Sequence, residues 1–185
     1  MFSLEQYCNN LEQFIKTVIE RPERDNLTYD LLDDEFTIEN YKIALKIKHF
    51  QMKKGEIWQE AIGSYDGFTN LKIGHNTGLD ILSDKHKIAI ELKNRTNTDN
   101  YSSKKQNLNK LAEFKLSNPS YRCIYATIND STETKTINGS NKIINHNDVE
   151  IENIVGYAFL RLIFENNTEF IVNFIKLTIK KYLQY

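Results

Sequence analysis

The chain has 185 residues, of which 40% are hydrophobic and 26% charged, and its formal net charge is −1. These values are typical of a globular protein with one core, so we expect a single domain over residues 1–185. Because no apolar run is long enough to cross a bilayer and the N-terminus lacks a signal-peptide pattern, we exclude a membrane partner and expect a cytoplasmic protein. The near-neutral charge argues mildly against a DNA-binding protein, but lysines concentrate in residues 85–115, and charge distribution matters more than the sum.

The N-terminal part of the chain is predicted to be helical. Apolar residues recur at helical spacing over residues 2–20, and Ser3 is a suitable N-cap. Residues 21–37 are acidic and polar, which favours a loop with at most one short helix.

One long helix or two shorter ones are predicted over residues 38–63, with a break near Gly55 and a stop at Gly63. Glu56 and Glu60 lie four residues apart and therefore share one side of this helix. The pattern is equally compatible with two positions of the Glu60 carboxylate. It can be exposed to solvent, or it can lie close to a functional site.

Residues 77–98 carry the pattern from which the functional prediction starts. Alternation of apolar and polar residues, with strand-breaking residues at the ends, indicates a hairpin of two strands, 78–83 and 87–93. The alternation places Lys87, Ala89, Glu91 and Lys93 on one face and Ile88, Ile90 and Leu92 on the other, toward a core. Pairing of the two strands then brings Asp80 beside Glu91.

Two carboxylates and an ammonium group would converge at Asp80, Glu91 and Lys93. Neighbouring carboxylates repel unless a cation joins them, and Mg²⁺ suits such a pair because it keeps several of its waters. A lysine beside the cation equips the site for attack of water on a phosphodiester. The alternative is an exposed hairpin on which Glu91 and Lys93 form a solvated ion pair.

Asp80, followed by Glu91-Leu92-Lys93 at the end of a strand, resembles the PD-(D/E)XK nuclease superfamily. The stretches GEIWQEAIG and ELKNRTNT resemble type II restriction endonucleases within it. The motif has a proline directly before its aspartate, but in this chain Leu79 occupies that position. The resemblance implies that Asp80 and Glu91 bind one or two Mg²⁺ ions, which Mn²⁺ can replace, and that Lys93 serves the attacking water. It also implies a further catalytic acid from a preceding helix, for which Glu60 is the candidate and Glu56 the alternative.

A polar run follows the hairpin and would line the same cleft. Arginine, asparagine and lysine side chains are suited to base edges and phosphates, so this run is predicted to bind DNA. Its candidate residues are Asn94, Arg95, Asn97, Lys104 and Lys105. Thr98 or Asp99 would cap a helix that runs to about Leu116. A plain solvated helix start explains the same composition equally well.

The remaining segments complete the predicted sheet and its cover. Short strands are expected at residues 71–73 and 120–128, the latter parallel to the second hairpin strand after a helical crossover. Residues 129–149 have almost no apolar content and are predicted to form a polar loop, in which Asn141 and Lys142 are further candidates for DNA contacts.

Two closing helices are predicted at residues 150–164 and 168–183. The second is apolar on most of its circumference, which is typical of a core helix or of one that meets a partner, so a homodimer is expected.

The sequence thus predicts an α/β fold of the restriction-endonuclease-like type, with a small mixed sheet flanked by helices. Its parts would be a helical region at 1–63, a catalytic sheet core at 64–128, a polar loop at 129–149 and closing helices at 150–185. The expected function is Mg²⁺-dependent hydrolysis of double-stranded DNA at a short specific sequence. The alternatives are a structure-specific or repair nuclease such as a junction resolvase, a DNA-binding module with a relic site, and a purely structural interaction domain.

Overall fold

A computed structural model describes residues 2–22, 35–72, 74–96 and 100–183, with the backbone alone for residues 35–37. The helices are α1 (Leu4–Glu20), α2 (Glu35–Gly63), α3 (Tyr101–Ser117), α4 (Glu133–Asn138), α5 (Tyr157–Phe164) and α6 (Thr168–Leu183), with a 3₁₀ turn at Glu165–Asn167. The strands are β1 (Thr69–Asn70), β2 (Ile81–Ser83), β3 (Ile88–Arg95), β4 (Arg122–Asn129), β5 (Ser140–His146) and β6 (Val149–Val155).

The six strands form one mixed sheet in the order β1-β2-β3-β4-β6-β5. The pairs β1–β2, β2–β3 and β5–β6 are antiparallel, whereas β3–β4 and β4–β6 are parallel. Helix α3 connects β3 to its parallel neighbour β4, as the predicted crossover requires. The predicted α/β fold with a mixed sheet flanked by helices is confirmed.

The sheet separates two apolar clusters. On its first face, Ile88 and Ile90 of β3 join the cluster formed with α1, α2, α5 and α6. On its second face, Ala89 of β3 packs with Leu111 of α3 and Tyr125 of β4. The predicted alternation along β3 is therefore confirmed, and the strand is covered on both faces because helices lie on each side of the sheet.

The N-terminal helices follow the sequence prediction closely. The Ser3 side chain caps α1 by accepting a hydrogen bond from the Gln6 amide at 3.3 Å. The Tyr7 hydroxyl donates to the Ala61 carbonyl at 2.9 Å and so joins α1 to α2. The predicted break near Gly55 is wrong, because α2 is continuous from Glu35 to Gly63.

The predicted polar loop at residues 129–149 is wrong. Helix α4 and strand β5 occupy most of it, and the strand's polar side chains are tolerated because β5 is an edge of the sheet. The missed signal is the Asn147-Asp148 pair, whose positive φ angles of 51° and 60° fit the tight turn between β5 and β6.

Two further boundaries differ from the prediction. Residues 150–164 are not one helix, because β6 occupies their first part and α5 begins only at Tyr157. The alternation in β6 buries Val149 and Ile151 and marks it as a strand. The strand expected at 71–73 is instead β1 at Thr69–Asn70, and residue 73 lies outside the described residues.

Helix α6 is buried on one side only. Ile171, Val172 and Ile175 belong to the first cluster, whereas Phe170 and Leu177 are 52% and 67% exposed. Within the described ranges, no helix has both the length and the apolar character that crossing a bilayer would require.

The two glycines of α2 provide a matched test of its packing on β1. A Cβ atom at Gly63 would lie 2.5–2.7 Å from Asn70, whereas one at Gly55 would meet only the Asn94 Cβ at 3.9 Å. We expect Gly63→Ala to lower the free energy of unfolding by about 1–3 kcal/mol through overpacking. Gly55→Ala should raise it by about 0.5–1 kcal/mol through helix propensity. Urea denaturation measures both values, and equal effects would contradict the packing described at Gly63.

Candidate active site

The hairpin places Asp80 directly opposite Glu91. Ile81 pairs with Ile90 in an antiparallel ladder. Asp80, which precedes Ile81, therefore lies opposite Glu91, which follows Ile90. The Asp80 amide donates to the Ile90 carbonyl at 3.1 Å. The Leu92 amide donates to Asp80 Oδ2 at 2.7 Å and anchors that carboxylate against the strand.

Glu91 is a buried carboxylate with only one oxygen bonded. The side chain is on the second face of β3, and the residue is 3% exposed. Lys93 Nζ donates to Glu91 Oε1 at 2.8 Å. Among the described residues, Glu91 Oε2 is buried without a hydrogen-bond partner. Burial raises the pKa of Glu91, the charge of Asp80 raises it further, and Lys93 opposes both effects.

These groups fit a hard divalent cation. Asp80 and Glu91 repel each other, and Glu91 Oε2 is an acceptor that lacks a donor. A cation between the two carboxylates would remove both costs. No three His, Cys, Asp or Glu side chains in the described parts of the chain group together as a metal site. Two carboxylates leave several positions to water and substrate, which is how Mg²⁺ is usually held.

Lys110 of helix α3 contributes positive charge that the sequence did not assign to the site. The charge of Lys110 lowers the pKa of Glu91, although less than Lys93 does. A Cβ atom at Gly78 would lie 3.3 Å from the Lys110 side chain, so the glycine leaves room for it to pass. Lys110 was missed because its nearness to Glu91 depends on how α3 crosses the sheet. The nearest signal in the sequence is its position beside the buried Leu111.

Lys104 also belongs to this face of the sheet. Its ammonium lies 5.5 Å from the centroid of the Tyr125 ring, and Tyr125 is the register partner of Glu91. Asn100 caps α3 by accepting from the Ser103 amide at 2.8 Å, so the predicted caps at residues 98 and 99, outside the described residues, are wrong.

Glu60 is not brought to Asp80 and Glu91. It accepts hydrogen bonds from Lys72 Nζ at 2.8 Å and from Asn70 Nδ2 at 2.9 Å. Among the described residues, Glu60 does not group with Asp80 and Glu91 as a three-residue metal site. The alternative, Glu56, forms an exposed ion pair with Arg21 at 3.0 Å.

The structure places the predicted DNA-binding residues near the hairpin in different environments. Arg95 ends β3, and Lys105 is exposed on α3. Asn94 faces α2, where its amide donates to the Gln51 carbonyl at 3.2 Å and its oxygen accepts from Asn129 at 2.9 Å. Asn97 lies outside the described residues.

Asn141 and Lys142 are exposed on the edge strand β5. This strand is three positions from β3, a separation of about 14 Å at the usual strand spacing. A hydrogen bond from Asn141 helps to lower the pKa of Glu152. These two residues therefore lie apart from the carboxylate pair, and their contact with DNA stays a prediction.

Comparison with known families supplies the identity that the geometry suggests. A family model described as the Eco47II restriction endonuclease matches residues 4–184, nearly the whole chain. A search of curated proteins found no match. The predicted assignment to type II restriction endonucleases is confirmed, and it implies an endodeoxyribonuclease that binds DNA. The chain belongs to the Eco47II family of restriction endonucleases.

Proposed function

We propose that this restriction endonuclease is a Mg²⁺-dependent enzyme of the PD-(D/E)XK type, which hydrolyses double-stranded DNA at a short specific sequence. The observation that carries the proposal is the meeting of Asp80, Glu91 and Lys93 on one hairpin, with Glu91 Oε2 buried and unbonded. A purely structural hairpin would gain nothing from this arrangement, because an unpaired buried acceptor costs stability.

Each of the three residues has a distinct role in this proposal. Asp80 and Glu91 hold the ion, and Asp80 is positioned by the Leu92 amide. When bound, Mg²⁺ supplies electrostatic stabilisation of the negative charge that develops on the phosphoryl oxygens. Lys93, whose side chain is 20% exposed, presents its ammonium beside Glu91, where it can orient the attacking water and offset charge at phosphorus.

The lysines of α3 are proposed to guide the DNA backbone to this face. Lys104 lies over Tyr125 of β4, the register partner of Glu91, and the charge of Lys110 acts on Glu91 itself. Arg95 extends the positive charge at the end of β3. Positive side chains along one surface attract phosphates even when the whole chain is nearly neutral.

A homodimer is proposed as the active form. The face of α6 that bears Phe170 and Leu177 is apolar and exposed, and Phe170 stacks on Phe174 at 6.3 Å between ring centroids. An exposed apolar face favours association with a partner. Two-fold symmetry of the dimer would match a palindromic DNA target.

A reducing compartment, and therefore the cytoplasm, is proposed as its location. Cys8 and Cys123 are both free thiols, and burial raises the pKa of Cys123 to about 11. Buried thiols of this kind are typical of cytosolic proteins.

Removal of any one of the three side chains should abolish cleavage. We expect Asp80→Asn, Glu91→Gln and Lys93→Ala each to reduce the rate of DNA cleavage in Mg²⁺ by at least about 100-fold. Because the raised pKa of Glu91 means that its charge disfavours the folded state, Glu91→Gln should unfold at no lower temperature than the wild type. Gel assays of plasmid digestion and thermal denaturation measure the two effects.

Lys85→Ala is the control for Lys93→Ala. Lys85 is in the turn of the same hairpin, where it forms an exposed ion pair with Asp66 at 2.7 Å. The Lys85→Ala variant should cleave DNA at a rate within about two-fold of the wild type, since exposed ion pairs contribute little to stability. Wild-type cleavage by the Lys93 variant would refute the assigned site.

Calcium should separate binding from cleavage. We expect Ca²⁺ to support DNA binding in a mobility-shift assay but to give little product, because its longer and looser coordination orients water poorly. The same titration with Mg²⁺ and with Mn²⁺ should give product. Rapid cleavage in Ca²⁺ alone would contradict the proposed use of the ion.

Sedimentation velocity tests the oligomeric state. The chain has a mass of 21.7 kDa, so the dimer should sediment as a species of twice that mass at micromolar concentration. Leu177→Glu should shift the protein toward the monomer, since it places a charge on the exposed face of α6. Lys176→Glu, which changes the charge at the neighbouring position of the same helix, is the control. An unchanged dimer in the Leu177 variant would exclude this face as the interface.

A further inference from the structure

Lys110 reaches the carboxylate site from outside the hairpin. It is half-buried on α3, the helix that packs on the second face of the sheet. A Cβ atom at Gly78 would lie 3.3 Å from Lys110 Cδ and Cε and 3.7 Å from its Nζ. The Lys110 side chain therefore lies over the backbone two residues before Asp80, in space that the glycine leaves open.

Lys93 and Lys110 lie toward the same end of the carboxylate pair. Because β2 and β3 are antiparallel, the residues that precede Asp80 and those that follow Glu91 lie on the side away from the hairpin turn. Gly78, over which Lys110 passes, is two residues before Asp80. Lys93 is two residues after Glu91. Two ammonium groups thus approach the pair from two different elements, β3 and α3.

The contacts of Lys110 leave its ammonium able to bind a further acceptor. Its Nζ donates to Asn107 Oδ1 at 3.4 Å, which is longer than the usual range for such a bond. Asn107 is 7% exposed and lies one turn before Lys110 on α3, so it holds the ammonium from the side of the helix. A lysine ammonium has three N–H donors, and this bond uses one of them.

The charge balance of the site favours an anion beside the two lysines. Lys93 already donates to Glu91 at 2.8 Å, and the charge of Lys110 acts on Glu91 as well. If one divalent cation balances Asp80 and Glu91, the two ammonium groups leave an excess of positive charge. A phosphodiester carries one negative charge and gains another as water attacks the phosphorus, so it is the complementary group.

We infer that Lys110 is a second phosphate-binding residue of the active site, which holds the scissile phosphodiester beside the carboxylate pair together with Lys93. The inference rests on the proposed function, because it takes the DNA to be cut at Asp80 and Glu91. The acceptor for the Lys110 ammonium is a non-bridging oxygen of that phosphate. Negative charge increases on this oxygen during attack, so the contact is stronger in the transition state than with bound substrate.

Lys104, on the same helix, provides the contrast. It is exposed, and its ammonium lies over the Tyr125 ring at 5.5 Å from the ring centroid. We expect Lys104 to contact the DNA backbone away from the reacting phosphate. Loss of Lys104 should therefore weaken DNA binding without altering cleavage of DNA that is already bound.

Single-turnover cleavage of a saturating concentration of duplex separates these two roles. We expect Lys110→Met, which keeps the side-chain length over Gly78, to lower the rate at least about 10-fold. Lys104→Met should stay within about two-fold of the wild type in this assay. Lys110→Arg should recover most of the loss, because it restores the positive charge. Lys48→Met, an exposed change on α2, is the control and should match the wild type in rate and in binding.

A binding measurement identifies the partner of Lys110 without any cleavage. Once digestion has defined the cut position, duplexes with one neutral methylphosphonate at each phosphate around it in turn are bound in Ca²⁺. At the scissile phosphate we expect this change to weaken binding of the wild type at least about five-fold. The loss should be clearly smaller for Lys110→Met and for Lys110→Gln, because the cation that meets the phosphate is already absent. Lys48→Met should show the wild-type loss.

A purely structural role for Lys110 predicts a different result. If Lys110 only offsets the charge of Glu91, its neutral variants would unfold at a lower temperature, and the methylphosphonate would weaken binding of wild type and variants equally at every position. That result would overturn the inference and leave the proposed function intact. Wild-type cleavage by the Asp80 and Lys93 variants would instead overturn the proposed function, and the methylphosphonate series would still decide whether Lys110 meets a phosphate.

Discussion

A carboxylate buried in the middle of a packed strand is the feature on which the site depends. Glu91 is on β3 with apolar clusters on both faces of the sheet, and its charge faces that of Asp80 across the hairpin. Lys93 binds one of its oxygens and the other has no partner among the described residues. Such an arrangement lowers stability, because burial and like charge both disfavour the ionised form. Proteins keep such arrangements where a ligand compensates for them, and in the proposed enzyme this ligand would be a divalent cation.

The hairpin and the crossover give the site its geometry. Antiparallel pairing of β2 and β3 fixes Asp80 opposite Glu91, and a slip of one residue would turn Glu91 to the other face. The parallel crossover then lays α3 over the second face, so that Lys110 approaches Glu91 and Lys104 lies over Tyr125, the register partner of Glu91 on β4. The positive charge that the nearly neutral chain needs for DNA is thereby concentrated where the carboxylates lie.

The two faces of β3 serve different purposes in this arrangement. The second face carries the carboxylates, and the first packs on α2, α5 and α6. At the carboxyl end of the strand the helices of the first face leave a cavity, with Trp58 in its wall and Lys54 and Arg95 at its mouth.

The sequence alone determined the hairpin, the alternation along β3 and the Ser3 cap, because period-two burial and capping are local properties. It also indicated Asp80, Glu91 and Lys93 as neighbours, since turn length and alternation fix register. It did not reveal β5, whose polar composition concealed a strand at the sheet edge, or β6, which it predicted as part of a helix. The pairing of Glu60 with Lys72 was also beyond it, because the face on which α2 packs is set by distant contacts. The approach of Lys110 to Glu91 and the cavity beside Trp58 were likewise decided by the tertiary structure, since each forms only when the helices pack on the sheet.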